Sequence, residues 1–246
     1  MNGHKQKKRR GGPQILAFWS EEHSLTALLI LLIVEVFIVV PATRAGHALV
    51  MIGLIVFSFL LLAGLLAMAR HRIFQVVSGV FVICSIAVRM ARSVFGVPGL
   101  LPWDALLSML SVVGMIIVVL WQVYREGPVT GHRVRGAVAA YLLIAILFAY
   151  SYTFIAYLVP GAFHLPAWAE AGSGRGETFF YFSMVALTTT GFGDITAIHP
   201  LARSLVTLEN FIGQLYPAIL IARLVTLEIE TRRLGKGQTH HDKERE

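Results

Sequence analysis

Apolar residues in this chain come in long unbroken runs instead of one-sided stripes. The runs fall at 24–40, 48–68, 73–88, 105–124, 137–158 and 201–227 and carry almost no charge. A helix needs about 20 such residues to cross a hydrocarbon core of roughly 30 Å. The pattern predicts an all-α membrane protein with six transmembrane helices. The connection between the fifth and sixth runs differs from the others. It opens with an Ala-, Gly- and Pro-rich stretch at 160–175 and turns apolar again over 177–188. At 1.5 Å per residue, a helix of that length covers only about 18 Å, so it enters the bilayer and stops partway. Non-helical backbone at that depth survives only where protein buries it or where it lines a water-filled cavity. The residues that follow are therefore marked as a site.

Composition excludes the main alternatives. Of 246 residues, 56% are hydrophobic and 14% charged, and the mean hydropathy is +0.70. A soluble domain carries about 25% charged residues, and a disordered chain has far less apolar surface. The net charge of +7 is unevenly placed. Lys5, Lys7, Lys8, Arg9 and Arg10 precede an apolar run, which reads as a cytoplasmic anchor and not as a nucleic-acid arm. Such a run could also hold anionic lipid, at about 1 kcal/mol per residue near the surface. Assigning loops alternately puts that run, Arg70, Arg72, Arg125, Arg133, Arg135 and the basic residues from Arg223 onward on one side. Only Arg44, Arg89, Arg92, Arg175 and Arg203 fall on the other. The bias predicts both termini on the cytoplasmic side of the cell membrane. A cleaved signal peptide ending near Ala45 is disfavoured by the length of the first run and by Glu35 within it. Cys84 is the single cysteine, which excludes an intrachain disulfide or a multi-cysteine metal site. The nine histidines are scattered and no nucleophile–base constellation stands out, so neither enzyme activity nor a cofactor is expected.

The marked residues are Thr188-Thr189-Thr190-Gly191-Phe192-Gly193-Asp194. A dehydrated cation needs replacement oxygens, but successive carbonyls of an extended chain point opposite ways. Turning them to one side requires alternating backbone hand, and glycine reaches positive φ without steric penalty. Gly191 and Gly193, two apart, fit that need. Gly-x-Gly alone is weak; here it coincides with upstream threonines, an aromatic between the glycines, an aspartate after them and a half-length helix before them.

The segment resembles the selectivity filter of tetrameric potassium channels, whose motif reads Thr-Val-Gly-Tyr-Gly-Asp. The resemblance covers roughly 137–227. It implies that the carbonyls of Thr189, Thr190, Gly191 and Phe192, with the Thr189 hydroxyl below and Gly193 above, form stacked oxygen rings for K+. Four copies would close those rings as a homotetramer. The short helix would aim its negative C-terminal end at the pore, which favours cations. Filter support would come from Thr188, Asp194, Tyr181, Phe182, Val185 and Glu209, the last lying behind the pore lining within reach of Ser183. Gly213 sits nineteen residues after Asp194, where the family carries a hinge glycine. Pro217 removes a backbone donor and clashes with the Gly213 carbonyl, so the pair marks either a gating hinge or a fixed bend. Gln214 and Ile221 would line the cavity.

Several positions depart from the family pattern. Thr190 replaces valine, and its hydroxyl could bond behind the filter. Phe192 replaces tyrosine, and Tyr181-Phe182 stands where the family has a tryptophan pair, which makes the collar more apolar. Val185 replaces a glutamate found in some bacterial relatives, so Asp194 needs another partner or stays hydrated. Six spans also resemble voltage-gated channels, but 104–124 holds no Lys or Arg, and Arg89 and Arg92 at the end of the third run are expected to snorkel. Little intrinsic voltage sensing is therefore expected. The domain reading is a basic segment 1–23, a four-helix region 24–128, a pore region 129–230 and a tail 231–246 too short for a folded ligand-binding domain. The function expected is a potassium channel. A weakly selective cation channel of the same fold is the near alternative, and a potassium-transporter subunit the more distant one.

Overall fold

The computed structural model describes residues 21–42, 53, 56–57, 72–95, 98–124, 131–170 and 175–243. The basic N-terminal run and nearly all of the predicted span at 48–68 lie outside them. Helix α1 begins at Glu21–Val34 and continues through a π-helical stretch, Glu35–Val39, into a last turn, Val40–Ala42. Helix α2 is Arg72–Phe95. A 3-10 turn at Pro98–Leu100 leads into α3, Leu101–Tyr124. Then follow α4, Gly131–Leu158, the short strand β1, Phe163–His164, and α5, Ala167–Glu170. The chain ends with α6, Arg175–Leu187, strand β2, Thr196–Ala197, and α7, Pro200–Lys243.

Among the described residues, four helices are long and apolar enough to cross a membrane: Leu25–Ala42, Leu101–Tyr124, Arg133–Leu158 and Pro200–Arg223. The predicted third span corresponds to α2, whose apolar part, Gly79–Ala91, is shorter. Helix α7 runs straight across the expected boundary between pore region and tail. The reason is local: no proline follows Pro217, and extending a helix costs far less than starting one.

Helix α4 is the centre of the fold because both its faces are buried. Alanines at 137, 139, 140, 145 and 149 let neighbours approach closely. One face, with Leu143 and Ile146, packs on Leu25, Leu28 and Leu32 of α1 and on Val112, Met115 and Val119 of α3. The other, with Ile144, Phe148 and Tyr152, packs on Phe179, Phe182 and Leu187 of α6 and on Ala202 of α7.

Residues 160–170 are more ordered than their composition suggested. β1 and β2 pair antiparallel, Phe163 with Ala197 and His164 with Thr196. The amides of Ile198 and His199 both donate to the Ala162 carbonyl, at 2.8 and 3.2 Å. Two-residue strands leave no periodicity to read, so the sequence gives no signal for this ribbon. It clamps the chain leaving the glycine-rich segment to the loop after α4.

Candidate functional site

Helix α6 ends at Leu187, and its last carbonyls are satisfied by the turn that follows. The amide of Thr188 donates to Met184 O at 3.1 Å, that of Thr189 to Ala186 O at 2.8 Å and that of Thr190 to Val185 O at 2.9 Å. The backbone then alternates: φ is +55° at Thr189, +61° at Gly191 and +78° at Gly193. Left-handed backbone at every second residue is the condition for presenting consecutive carbonyls to one side. Among the described residues, Thr189 is the one non-glycine with positive φ. Such a conformation costs an L-residue about 1–2 kcal/mol, and strain of this kind concentrates at functional sites. Thr188 to Gly193 are exposed in the single chain, Phe192 by 69%.

Hydroxyls fix the threonines beneath. Thr188 Oγ1 donates to Met184 O at 2.7 Å and lies 2.8 Å from Thr190 Oγ1. The hydroxyl that replaces the family's valine methyl is thus absorbed within the turn. Asp194 does find a partner despite Val185: it accepts from the Ile195 amide at 3.1 Å. The Tyr181 ring meets Trp168 of α5 edge-on, 6.0 Å between centroids. Phe182 stays apolar, packed on Tyr152 and Phe163 at 5.2 and 5.9 Å, and Val185 is buried.

Glu209 is fully buried behind this turn. Its carboxyl accepts from the Ser183 hydroxyl of α6 and the Tyr152 hydroxyl of α4. Ser183 Oγ also lies 2.7 Å from Ala145 O of α4. Three helices are thereby tied at one carboxyl.

Gly213 has a role the hinge reading did not include. A Cβ built there would sit 1.9 Å from the carbonyl oxygen of Leu187 and 2.8 Å from its carbon. Glycine lets α7 touch the backbone at the end of α6. The same Leu187 oxygen accepts from the Tyr141 hydroxyl at 3.1 Å. Tyr141 in turn stacks on Tyr216, 5.9 Å between centroids, and Tyr216 donates to Ala137 O at 2.9 Å. Helix α7 continues through Pro217, which is half-buried. Gln214 and Ile221 are exposed, and Leu208, Phe211, Leu215 and Ile219 form an uncovered apolar stripe nearby.

Arg89 corrects an expectation. It does not snorkel; it is buried, 7% exposed. Its Nε donates to Asp104 Oδ1 at 3.0 Å, and its Nη2 donates to Ser108 Oγ at 2.8 Å and Tyr150 Oη at 2.9 Å. The guanidinium also lies over the Phe57 ring, 4.7 Å from its centroid. The physical reason is the tight turn at Pro98–Leu100, which folds α3 back on α2 and sets an anion opposite the cation. Glu35, where the π-helical stretch starts, is also buried, and its Oε2 makes no hydrogen bond among the described residues.

Two long apolar helices, α4 and α7, thus bracket a short helix and a turn of alternating hand. Residues 137–230 match the family model described as Ion channel, the two-helix pore domain of the potassium-channel type. The match supports the potassium channel superfamily over that segment and, with the apolar helices, a membrane protein. No curated protein and no solved structure matches the chain.

Proposed function

We propose that this protein is a potassium-selective channel that conducts passively through a homotetrameric pore. In this reading Thr189, Thr190, Gly191 and Phe192 supply the carbonyl rings, α6 is a re-entrant pore helix, and 48–68 and α2 complete six spans with both termini cytoplasmic. The observation that carries it is the left-handed backbone at Thr189, Gly191 and Gly193. That repeat is costly at a threonine and has a use only if successive carbonyls share one side. The uncovered stripe on α7 supports assembly, because three further copies would bury it around a common axis.

Voltage plays little part in this reading. Helix α3 carries no Lys or Arg, and steep gating needs several charges that move. Arg89, bonded to Asp104, Ser108 and Tyr150, is held rather than free to travel. A weakly selective cation pore is the second reading, favoured by the extra Thr190 hydroxyl at the filter and the apolar collar around Phe182. Purified protein in liposomes distinguishes them. The potassium reading expects rubidium uptake and a bi-ionic reversal potential strongly favouring K+ over Na+. Equal permeability would establish the second reading, and no uptake would refute both.

A further inference from the structure

Among the described residues, Arg89 is met by side chains from several elements. Phe57 lies against it from the segment before α2, Asp104 and Ser108 reach it from α3, and Tyr150 reaches it from α4. Glu35 of α1 is close enough to interact with it electrostatically. Ser85 of α2 adds a contact to Ser108 at 3.2 Å. A cation desolvated this completely holds its partners in fixed places, since losing any one leaves buried charge or a buried polar atom unpaired.

Tyr150 lies two residues before Tyr152. Two residues of helix are about 200° apart, so the two rings leave opposite faces of α4. Tyr150 belongs to the α1–α3 side, where Phe57 meets it edge-on at 5.8 Å between centroids. Tyr152 belongs to the other side, where it donates to Glu209 behind the turn of alternating hand. Glu209 is fully buried within one chain, so a neighbouring copy cannot supply that support. One turn of α4 therefore carries a hydrogen-bonded anchor on each face, one for the α1–α3 region and one for Ser183 and Glu209.

We propose that Arg89 and Tyr150 are positioning residues for ion selection. The α1–α3 region sets the height and rotation of α4 through this one cation. Helix α4 passes that register to the Thr188–Asp194 segment through Tyr152, Glu209 and Ser183. The α1–α3 region, without a row of arginines, then has a purpose: it braces the filter from outside the pore. The inference rests on the channel reading for its functional meaning, while the two anchors on α4 are features of the single chain.

The test is a double-mutant cycle on the full chain in liposomes, reading rubidium over sodium uptake, with thermal melting measured for every variant. Y150F and Y152F each remove one hydroxyl and are expected to lower the uptake ratio by about fivefold, the worth of one hydrogen bond. Because both act through one register of α4, the double variant should fall well short of the product of the two effects. R89K keeps the charge but loses the planar fork through which Nε reaches Asp104 and Nη2 reaches Tyr150, so it should behave as Y150F does. V80A, at an exposed site on the same helix as Arg89, should leave the ratio unchanged. An unchanged ratio in Y150F with a wild-type melting curve overturns the proposal, as does a double variant equal to the product. If Y150F fails to assemble, R89K and its cycle with Y152F decide by the same two criteria. A wild-type ratio that favours rubidium, with Y150F unaffected, sinks this inference alone; no wild-type uptake sinks it together with the channel reading.

Discussion

Replacing Gly213 with alanine separates two explanations of that residue by the sign of one measurement. The added Cβ would lie 1.9 Å from Leu187 O. Carbon and oxygen rest in contact at about 3.3 Å, so α7 and the end of α6 would have to part by about 1.4 Å. Overpacking a tight interior costs about 1–3 kcal/mol. Displacing Leu187 also endangers the 3.1 Å bond from Tyr141, worth about 1 kcal/mol. Alanine returns about 1 kcal/mol as the better helix former. The balance is a loss of about 1–3 kcal/mol, felt at the base of the filter. If Gly213 served only as a flexible joint, the helix-forming gain alone would remain and the variant would be the more stable. Thermal melting of the purified assembly, followed by tryptophan fluorescence, reads the sign, and rubidium uptake reads the filter. A G213A protein that melts at or above wild type with normal uptake would refute the close-approach account.

Further outcomes follow from the same geometry. Gly191→Ala and Gly193→Ala each force an L-residue to positive φ, at about 1–2 kcal/mol, and should abolish rubidium uptake while the protein still inserts and assembles; retained uptake by both would contradict the carbonyl-ring reading. Thr190→Val removes a hydroxyl 2.8 Å from Thr188 and should leave a conducting channel whose sodium-to-potassium permeability ratio, from reversal potentials, is no higher than wild type. Asp104→Asn leaves the Arg89 charge buried without its anion, a loss of about 3–5 kcal/mol, visible as a lower melting temperature; replacing both Arg89 and Asp104 by leucine should be milder than that single change. Conductance should follow voltage without steep activation, and a large gating current would overturn the account of Arg89 as a fixed charge.

The turn of alternating hand and the short helix before it were largely legible in the chain because they depend on local facts: residue type, two-residue spacing and the length of an apolar run. Positive φ at Gly191 and Gly193 was foreseeable; at Thr189 it was not, since no intrinsic preference of threonine favours it. The burial of Glu209 and the exposure of Gln214 were legible, because 100° per residue sets the two on different faces of α7. What escaped was whatever depends on two distant segments meeting. Arg89 looked like a residue at the end of a span until a three-residue turn set Asp104 against it. Gly213 looked like a joint because nothing local says that a carbonyl of α6 lies within touching distance. The ribbon of β1 and β2 is too short to leave any pattern.

Helix α4, alanine-rich and covered on two sides, limits how freely the matched segment could be transplanted. Cut away from α1 and α3, it would offer acyl chains a shallow surface of methyl groups and a phenol with nothing to accept from or donate to. Lipid tails fill such a surface poorly. The matched segment is therefore no portable cassette: a chimera would need a host whose own helices can replace what α1 and α3 provide.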